Sequence, residues 1–451
     1  MQLRRWMPLL AVCLGSFLFV VDTTVVTVAL PAIGADLAAP LVDLEWVATG
    51  YPLVLAVLML AAGAVADRLG LRRALLAGLG AFAAASLGCA LAPGLGWLVA
   101  ARAAQGIGGA ALAVTGFALL ATTYAGRERG TAFGVFFAVN ALGGAAGPLL
   151  GGLLTATLGW RSIFLLNLPV AAAAAVLTAV AFQRSVRRAG RVDVAGTAAF
   201  ATAAAALTIG LTRIADHGLD VAAVVGLGVA AVAAVAFLRI EARRPDGLLD
   251  VALLRQLPFA TALTGAGVWS VAFAALVYTS VWLQGTLGLD PLAAGVALLP
   301  LAAATAIASM LSGRLLHGVA PRIPLGVGLL LSGIGCALQG ASAQPDPWSI
   351  APGLLVTGLG IGIAGPAIAG AVMATVIPEQ AGRVSGLMTT VRQLGQTLGV
   401  AALGIVFAGA APGTGLGRVG AVAAGLALLA GTLALLVRPA RASSLDQAPR
   451  R

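Results

Sequence analysis

Long apolar runs separated by short polar loops extend over nearly the whole sequence. There are about fourteen, and at roughly 1.5 Å per residue each is long enough for a helix that crosses a bilayer. Helices satisfy their own backbone hydrogen bonds within lipid, so each run predicts a transmembrane helix. Predicted helices 1 to 14 cover residues 8–30, 46–65, 74–92, 97–122, 130–154, 161–182, 193–212, 219–238, 259–284, 292–313, 323–340, 348–373, 384–410 and 418–437.

The basic residues indicate how these helices are oriented. The net charge is +11, and all 27 basic residues are arginines. Most lie in loops and tails on the side of the N-terminus, which by the positive-inside rule predicts that both termini are cytoplasmic. The charge therefore reflects topology, and no nucleic-acid partner is expected. With 60% hydrophobic residues, we predict a multi-pass protein in a lipid bilayer. Arginine without lysine, beside abundant alanine and glycine, indicates a GC-rich bacterial genome and therefore a bacterial cell (inner or plasma) membrane.

Two six-helix blocks are predicted to flank a central helix pair. The segment GAVADRLGLRR, which starts at Gly63, has a counterpart in GRLLHGVAPR, which starts at Gly313 and has His317 in the place of Asp67. Related halves with a substrate site between them are a recurrent transporter plan. The predicted divisions are an N-terminal bundle (1–182), two extra helices with a cytoplasmic linker (183–258), a C-terminal bundle (259–437) and a cytoplasmic tail (438–451).

Asp22 is the only acidic residue deep inside an apolar run. A carboxylate near the bilayer centre costs roughly 2.5–3.5 kcal/mol on insertion scales, and such residues are functional candidates. Because proton uptake removes most of this cost, we expect Asp22 to take up and release protons. The alternative is a structural aspartate whose oxygens are satisfied by the hydroxyl groups of Thr23, Thr24 and Thr27.

Several motifs carry a family resemblance. They are VDTTVVTVALP in helix 1, GAVADRLGLRR after helix 2, LVAARAAQGIGGAAL in helix 4 and NALGGAAGPLLGG in helix 5, with GWRSIFLLNLPV in helix 6 and VRQLGQTLGVA in helix 13. Their order and spacing resemble the fourteen-helix drug:proton antiporter family of the major facilitator superfamily. The resemblance implies an all-α integral membrane protein with the major facilitator fold, two six-helix bundles plus two extra central helices. The chain departs from the family pattern at two positions: Thr27 stands where asparagine is usual, and Ser162 stands where a tryptophan often follows the Gly-Trp-Arg sequence. These departures leave the identity of the substrate open.

Asp22 and Arg102 are predicted to couple transport to protons. Counted from the outer helix ends, Asp22 lies about 12 Å deep and Arg102 about 8 Å deep, within reach of each other. A nearby guanidinium favours the charged carboxylate, and a distant one no longer does. The resemblance assigns the helix 4 arginine a role in proton transfer, whereas the alternative is an arginine that extends outward to the headgroups.

A cytoplasmic latch is implied at the end of helix 2. Asp67 would lie against the N-terminus of helix 13, just after Gly382, where the helix dipole favours an anion. This contact would hold the halves closed on the inside, although the arginines alone could serve only to fix topology. The residues of this motif are Gly63, Asp67, Arg68, Arg72 and Arg73.

Helix 5 carries glycines four residues apart, a spacing that permits close helix packing, and a proline that can bend it. The spacing alone is a common packing signal, but with the proline it resembles the motif of exporters in this superfamily. Export is therefore favoured over import. The motif comprises Gly143, Gly147, Pro148, Gly151 and Gly152.

Polar and aromatic residues within helices are candidates for the lining of a substrate cavity. These are Thr23, Thr27, Gln105, Asn140, Trp269, Tyr278 and Arg392. Arg392 could equally extend toward the inner headgroups, and Trp282 could belong to a lipid-interface belt. The sequence has no phosphate-binding loop, no nucleophile–base arrangement and no metal-ligand cluster, so we expect no enzymatic activity, no metal and no cofactor except the coupling proton.

These features predict a monomeric secondary transporter that exports a small hydrophobic, weakly basic or singly cationic compound by alternating access. A single membrane carboxylate indicates one proton per cycle. One alternative is a proton-coupled importer or metabolite exporter on the same fold. The alternative from another class is a non-transporting membrane sensor or assembly subunit, which would not need a titratable Asp22.

Overall fold

A computed structural model describes residues 2–183, 193–243, 251–316, 318–374, 380–410 and 414–436. Every regular element in these ranges is a helix, which confirms the all-α prediction. The helices are α1 (Gln2–Leu37), α2 (Leu41–Leu69), α3 (Leu71–Ala90), α4 (Leu95–Thr123), α5 (Gly126–Leu158), α6 (Ser162–Leu165), α7 (Asn167–Ala181), α8 (Val194–His217), α9 (Val221–Ala242), α10 (Val251–Leu254), α11 (Leu257–Gly285), α12 (Pro291–Ala297), α13 (Leu299–Leu315), α14 (Arg322–Ala341), a 3-10 helix (Pro347–Ile350), α15 (Ala351–Ala374), α16 (Ala381–Ala408) and α17 (Gly415–Leu436).

Thirteen helical segments of the described chain are long and apolar enough to cross a membrane. Helix α16 has 28 residues and lies among them, but it is more polar because it carries Arg383, Arg392 and Gln393. With α16 the bundle has the expected fourteen spans. The predicted domain boundaries stay a prediction. Parts of the chain named in these predictions lie outside the described residues, namely His317, residues 184–192 and 244–250 of the linker region, and the tail from residue 437.

Two of the predicted helices are each broken into two pieces. Helix 6 divides into α6 and α7 at Leu166, and helix 10 divides into α12 and α13 at Leu298. Prolines explain both breaks, because Pro169 and Pro300 have no N–H to donate to the carbonyl groups four residues earlier. Other helices are longer than predicted, since α1 begins at Gln2 and ends at Leu37.

The first half of the bundle, α1–α7, and the second half, α11–α17, repeat one packing pattern. Helices α3 and α4 pack together as α14 and α15 do, and α1 packs on α5 as α11 packs on α16. The extra helices α8 and α9 pack on each other, and α8 contacts α2 and α16, one helix from each half. Phe237 of α9 belongs to a small cluster with Leu60 and Ala64 of α2 and Leu387 of α16.

The two halves meet tightly at the inner face, which we define as the face where α1 starts and α2 ends. A Cβ atom on Gly63 of α2 would lie 2.4 Å from the carbonyl oxygen of Gly382. A Cβ atom on Gly130 of α5 would lie equally close, at 2.4 Å, to the carbonyl oxygen of Gly313 in α13. Ser385 of α16 donates a 2.8 Å hydrogen bond to the carbonyl oxygen of Val114 in α4. The bundle is therefore closed at its inner face.

Candidate functional site

Asp22 is completely buried and accepts hydrogen bonds from three side chains. Its Oδ2 accepts from Nη1 of Arg102, with which it forms an ion pair. Its Oδ1 accepts from Nε2 of Gln105 at 2.8 Å and from Nδ2 of Asn167 at 3.0 Å. All three side chains that hydrogen-bond this carboxyl group donate to it. The helix depths predicted this contact between Asp22 and Arg102.

Arg102 is also fully buried, and its guanidinium has acceptors besides Asp22. Nε donates to the carbonyl oxygen of Val47 in α2 at 3.1 Å, and Nη1 donates to Oε1 of Gln105 at 2.7 Å. The guanidinium carbon lies 4.6 Å from the ring centre of Tyr51, which adds a cation–π contact. The side chain therefore stays inside the bundle and does not extend outward to the headgroups.

Ser86 of α3 completes the cluster. Its hydroxyl accepts from Gln105 at 2.9 Å and from Asn167 at 3.2 Å, and it donates to its own helix at the carbonyl of Phe82. The two amides that hold Asp22 are thereby held in turn by a second residue. We call Asp22, Ser86, Arg102, Gln105 and Asn167 the acid cluster. It joins α1, α3, α4 and α7 in the first half.

The hydroxyl groups of Thr23, Thr24 and Thr27 bond elsewhere, which contradicts the alternative in which they satisfy the oxygens of Asp22. Thr23 donates to the carbonyl of Phe19, Thr24 to those of Val20 and Val21, and Thr27 to that of Thr24. These bonds return to the backbone of α1 itself. Thr23 and Thr27 are exposed, so they remain candidates for a polar lining beside the acid cluster.

Close packing of α2 on α4 positions Tyr51 and the Val47 carbonyl against Arg102. A Cβ atom on Gly106 would lie 2.8 Å from the carbonyl oxygen of Tyr51, and one on Gly109 would lie 2.7 Å from its hydroxyl. These glycines of the helix 4 motif leave room for the tyrosine. The motif therefore serves the acid cluster through its glycines as well as through Arg102 and Gln105.

The latch contact is present at the inner face. Asp67 accepts hydrogen bonds from the backbone N–H groups of Gly382 at 2.7 Å and Arg383 at 2.8 Å, at the start of α16. The side chain of Arg383 adds an ion pair at 3.8 Å. Arg68, Arg72 and Arg73 are partly buried at the same end of the bundle, and Arg72 donates to a carbonyl of α7.

The helix 5 glycines face α1. A Cβ atom on Gly147 would lie 1.8 Å from the hydroxyl of Thr24, and one on Gly151 would lie 2.7 Å from the carbonyl of Val25. Gly143 approaches Phe17, and Gly152 has more room. The helix continues through Pro148 without a break. The motif therefore allows α5 to pack closely on α1 within the first half.

The other cavity candidates do not form one site. Gln105 belongs to the buried acid cluster. Asn140 accepts from Ser16 at 2.8 Å and donates to its own helix, and the Tyr278 hydroxyl donates to the Val400 carbonyl on α16. Trp269 and Arg392 do meet. Trp282 is buried among side chains of the second half, so it does not form a lipid-interface belt.

The second half has a neutral counterpart of the acid cluster. Gln339 of α14 accepts from the hydroxyl of Thr279 in α11 at 3.1 Å and donates to that of Thr357 in α15 at 2.7 Å. These helices correspond by packing to α3, α1 and α4, which contribute to the acid cluster. When Gly106 and Gly108 are aligned with Gly360 and Gly362, Val356 stands opposite Arg102. This triad has no group that changes charge near neutral pH.

Comparison with known families decides the identity of the fold. A sequence profile described as Major Facilitator Superfamily matches residues 12–400. The chain belongs to this superfamily. It is therefore a multi-pass membrane transporter and not an enzyme.

Named relatives within the Major Facilitator Superfamily include bacterial resistance proteins. The chain is 35% identical over 412 residues to the multidrug resistance protein Stp of Mycobacterium tuberculosis, which covers 90% of this chain and 77% of that protein. It is 33% identical over 413 residues to the tetracenomycin C resistance and export protein of Streptomyces glaucescens, covering 90% and 76%.

A solved major facilitator structure has the same fold. The human organic anion transporter MFSD10 (TETRAN) superposes with a TM-score of 0.71 over 95% of this chain and 99% of that protein, at 18% identity. At this identity the similarity concerns the fold alone.

Three residues in or beside the acid cluster were not predicted from the sequence. Asn167 lies in the GWRSIFLLNLPV segment, where a polar residue in an apolar run was a usable signal. Ser86 and Tyr51 gave none, because a serine that bonds its own helix and a tyrosine near a helix start are common. Only the packing of α2 and α3 on α4, and of α7 on α1 and α3, brings them to the acid cluster.

Proposed function

We propose that the protein exports small molecules of the drug and antibiotic type across a bacterial cell membrane in exchange for protons. The names of the relatives support export of such compounds. The observation that carries the coupling proposal is the fully buried ion pair of Asp22 and Arg102 in the first half. In this proposal the inner face is cytoplasmic, both termini lie there, and the transporter works as a monomer without a cofactor.

Asp22 is the proton carrier in this mechanism. When it takes a proton, it loses its charge and its ion pair with Arg102. The guanidinium keeps the carbonyl of Val47 and the amide oxygen of Gln105, so it is not left without acceptors. Removing one partner of a buried pair is costly when the other remains unpaired, and these two acceptors reduce that cost. The site can therefore exist with and without the proton.

Helix α2 links the proton site to the latch. It supplies the Val47 carbonyl and the Tyr51 ring near one end and Asp67 at the other, about 30 Å away at 1.5 Å per residue. When the halves rock and Asp67 leaves the start of α16, α2 moves relative to α4 and changes the contacts of Arg102. Opening of the inner face and release of the proton are then coupled through one rigid element.

One proton limits the driving force. It supplies about 2.3 kcal/mol per 100 mV and about 1.4 kcal/mol per pH unit. With 100 mV and one pH unit, this sum corresponds to a concentration ratio of roughly 500 for a neutral substrate.

The test is dye efflux from reconstituted vesicles driven by a pH gradient. Asp22→Asn keeps the size of the side chain and removes the titration, so efflux should lose its dependence on the gradient. Asp36→Asn is the matched control, because Asp36 lies at the far end of the same helix, half exposed and paired with Arg161. Gradient-driven efflux that persists in Asp22→Asn would refute the assignment.

A further inference from the structure

Arg392 lies between the two halves at the middle of the bundle. It is the twelfth residue of α16, and its guanidinium carbon lies 4.4 Å from the ring centre of Trp269 in α11 and 5.5 Å from that of Phe137 in α5. Both aromatic residues also lie near the middle of their helices. The side chain therefore contacts the first half and the second half at mid-depth and does not extend to the inner headgroups.

No acidic residue in the described chain balances this charge. The Nε of Arg392 is buried without a hydrogen-bond partner. Asp22 is held by Arg102, Gln105 and Asn167, and every other described acidic residue lies within two turns of a helix end or in a loop. As far as the chain is described, the middle of the bundle thus contains one ion pair and one arginine without a counter-ion.

The aromatic surroundings form a flat, fixed platform. The indole N–H of Trp269 donates to the Ile361 carbonyl at 3.1 Å, which fixes the ring plane. Phe137 stands edge-on to this indole at 6.0 Å, and Phe273 packs against it at 4.7 Å. Arg392 itself is only partly buried, so part of the side chain remains accessible.

A cation in this position favours a ligand that brings the missing negative charge. Cation–π contacts compensate only part of the cost of a charge in the membrane. A guanidinium can donate two parallel hydrogen bonds to a carboxylate, and aromatic faces bind planar rings. We propose that Arg392, Trp269 and Phe137 form a binding site for planar aromatic anions, such as aromatic carboxylates, and that these are a substrate class of the exporter. This inference rests on the proposed function.

An anionic substrate changes the charge that moves in each cycle. One proton entering and one monovalent anion leaving together move two elementary charges, whereas a neutral substrate moves one and a monovalent cation none. Since about 60 mV per charge corresponds to a tenfold ratio, membrane potential drives anion export with twice the sensitivity of neutral export. This substrate class differs from the neutral or weakly basic compounds expected from the sequence.

Binding of two xanthene dyes to the full-length purified protein tests the proposal. Fluorescein at pH 8 is an anion and rhodamine 123 is a cation on the same ring system, and fluorescence anisotropy gives the dissociation constant of each. We expect the wild type to bind fluorescein at least tenfold more tightly than rhodamine 123. Arg392→Gln should abolish this preference, and Arg392→Lys should retain part of it. Arg418→Gln, at an exposed arginine near the start of α17, is the control and should change nothing.

The opposite results overturn the proposal. They are equal or weaker binding of fluorescein in the wild type, failure of fluorescein to bind, or a fluorescein preference that survives in folded Arg392→Gln. This outcome is separate from failure of the transport mechanism, because dye binding to the wild type and to Arg392→Gln is measured without a proton gradient, whereas the coupling proposal is tested by efflux in Asp22→Asn. If Asp22→Asn retains gradient-driven efflux while Arg392→Gln loses the dye preference, the coupling proposal fails and the anion site stands.

Discussion

Asp67→Asn should open the inner face. In the closed bundle both carboxylate oxygens of Asp67 accept backbone N–H groups, at 2.7 and 2.8 Å, from the first residues around the start of α16. Asparagine has only one acceptor oxygen, and its NH₂ group would face the second N–H. The substitution therefore removes at least one charge-assisted hydrogen bond and the favourable interaction with the helix dipole.

The magnitude follows from these contacts. A hydrogen bond to a charged group contributes about 1.5–3 kcal/mol, and a carboxylate at a helix N-terminus about 0.3–1 kcal/mol. Because the contacts bridge the two halves, their loss of about 2–4 kcal/mol destabilises only the state closed at the inner face. The ratio of inward-open to inward-closed molecules should rise roughly 30-fold to 1000-fold.

Spin-label distances measure this shift. Labels on cysteines at Leu69 of α2 and Leu315 of α13, both exposed at the inner ends, report the separation of the halves. The native cysteines are buried and would first be replaced: Cys13, Cys89 and Cys336.

The control for this experiment is Glu128→Gln. Glu128 pairs with Arg5, and both belong to the first half, so its loss should leave the distance unchanged. We expect a longer inner distance to become prominent in Asp67→Asn alone. An unchanged distribution in that variant would show that these hydrogen bonds do not hold the inner face closed.

Two further substitutions test the acid cluster and the packing of helix 5. Asn167→Ala removes one of the three side chains that donate to Asp22, so gradient-driven efflux should fall roughly tenfold; efflux equal to that of the wild type would contradict the role of the amide. Gly147→Ala forces a methyl group against Thr24 and should destabilise the protein by about 1–3 kcal/mol in thermal unfolding, whereas Gly144→Ala has room. Equal melting temperatures for these two variants would contradict the packing argument.

The sequence predicted the features that depend on hydrophobicity and charge. Fourteen apolar runs gave the helices, and the depth of Asp22 and Arg102 within their runs predicted their contact. Asp67 could be placed against the start of α16 only through the family resemblance. The breaks at Leu166 and Leu298 were missed, although Pro169 marks the first and Pro300 the second.

Features that depend on which helices face each other could not be predicted. The sequence did not decide whether the Arg392 side chain lines the cavity or extends to the inner headgroups, because its position along the helix is compatible with either. The contact with Trp269 and Phe137, on two other helices, decides it. Trp269 and Tyr278 both belong to α11, but Trp269 bonds to α15 and Tyr278 bonds to α16. Their closeness in the sequence therefore did not indicate a common site.

Proton movement driven by substrate tests the central claim most directly. Vesicles with a substrate gradient and no initial pH gradient should acquire a pH difference with the wild type, recorded by an entrapped pH dye. Asp22→Asn should move no protons while it still exchanges labelled for unlabelled substrate, since binding and rocking do not require the titration. Undiminished proton movement in Asp22→Asn would show that another group carries the proton.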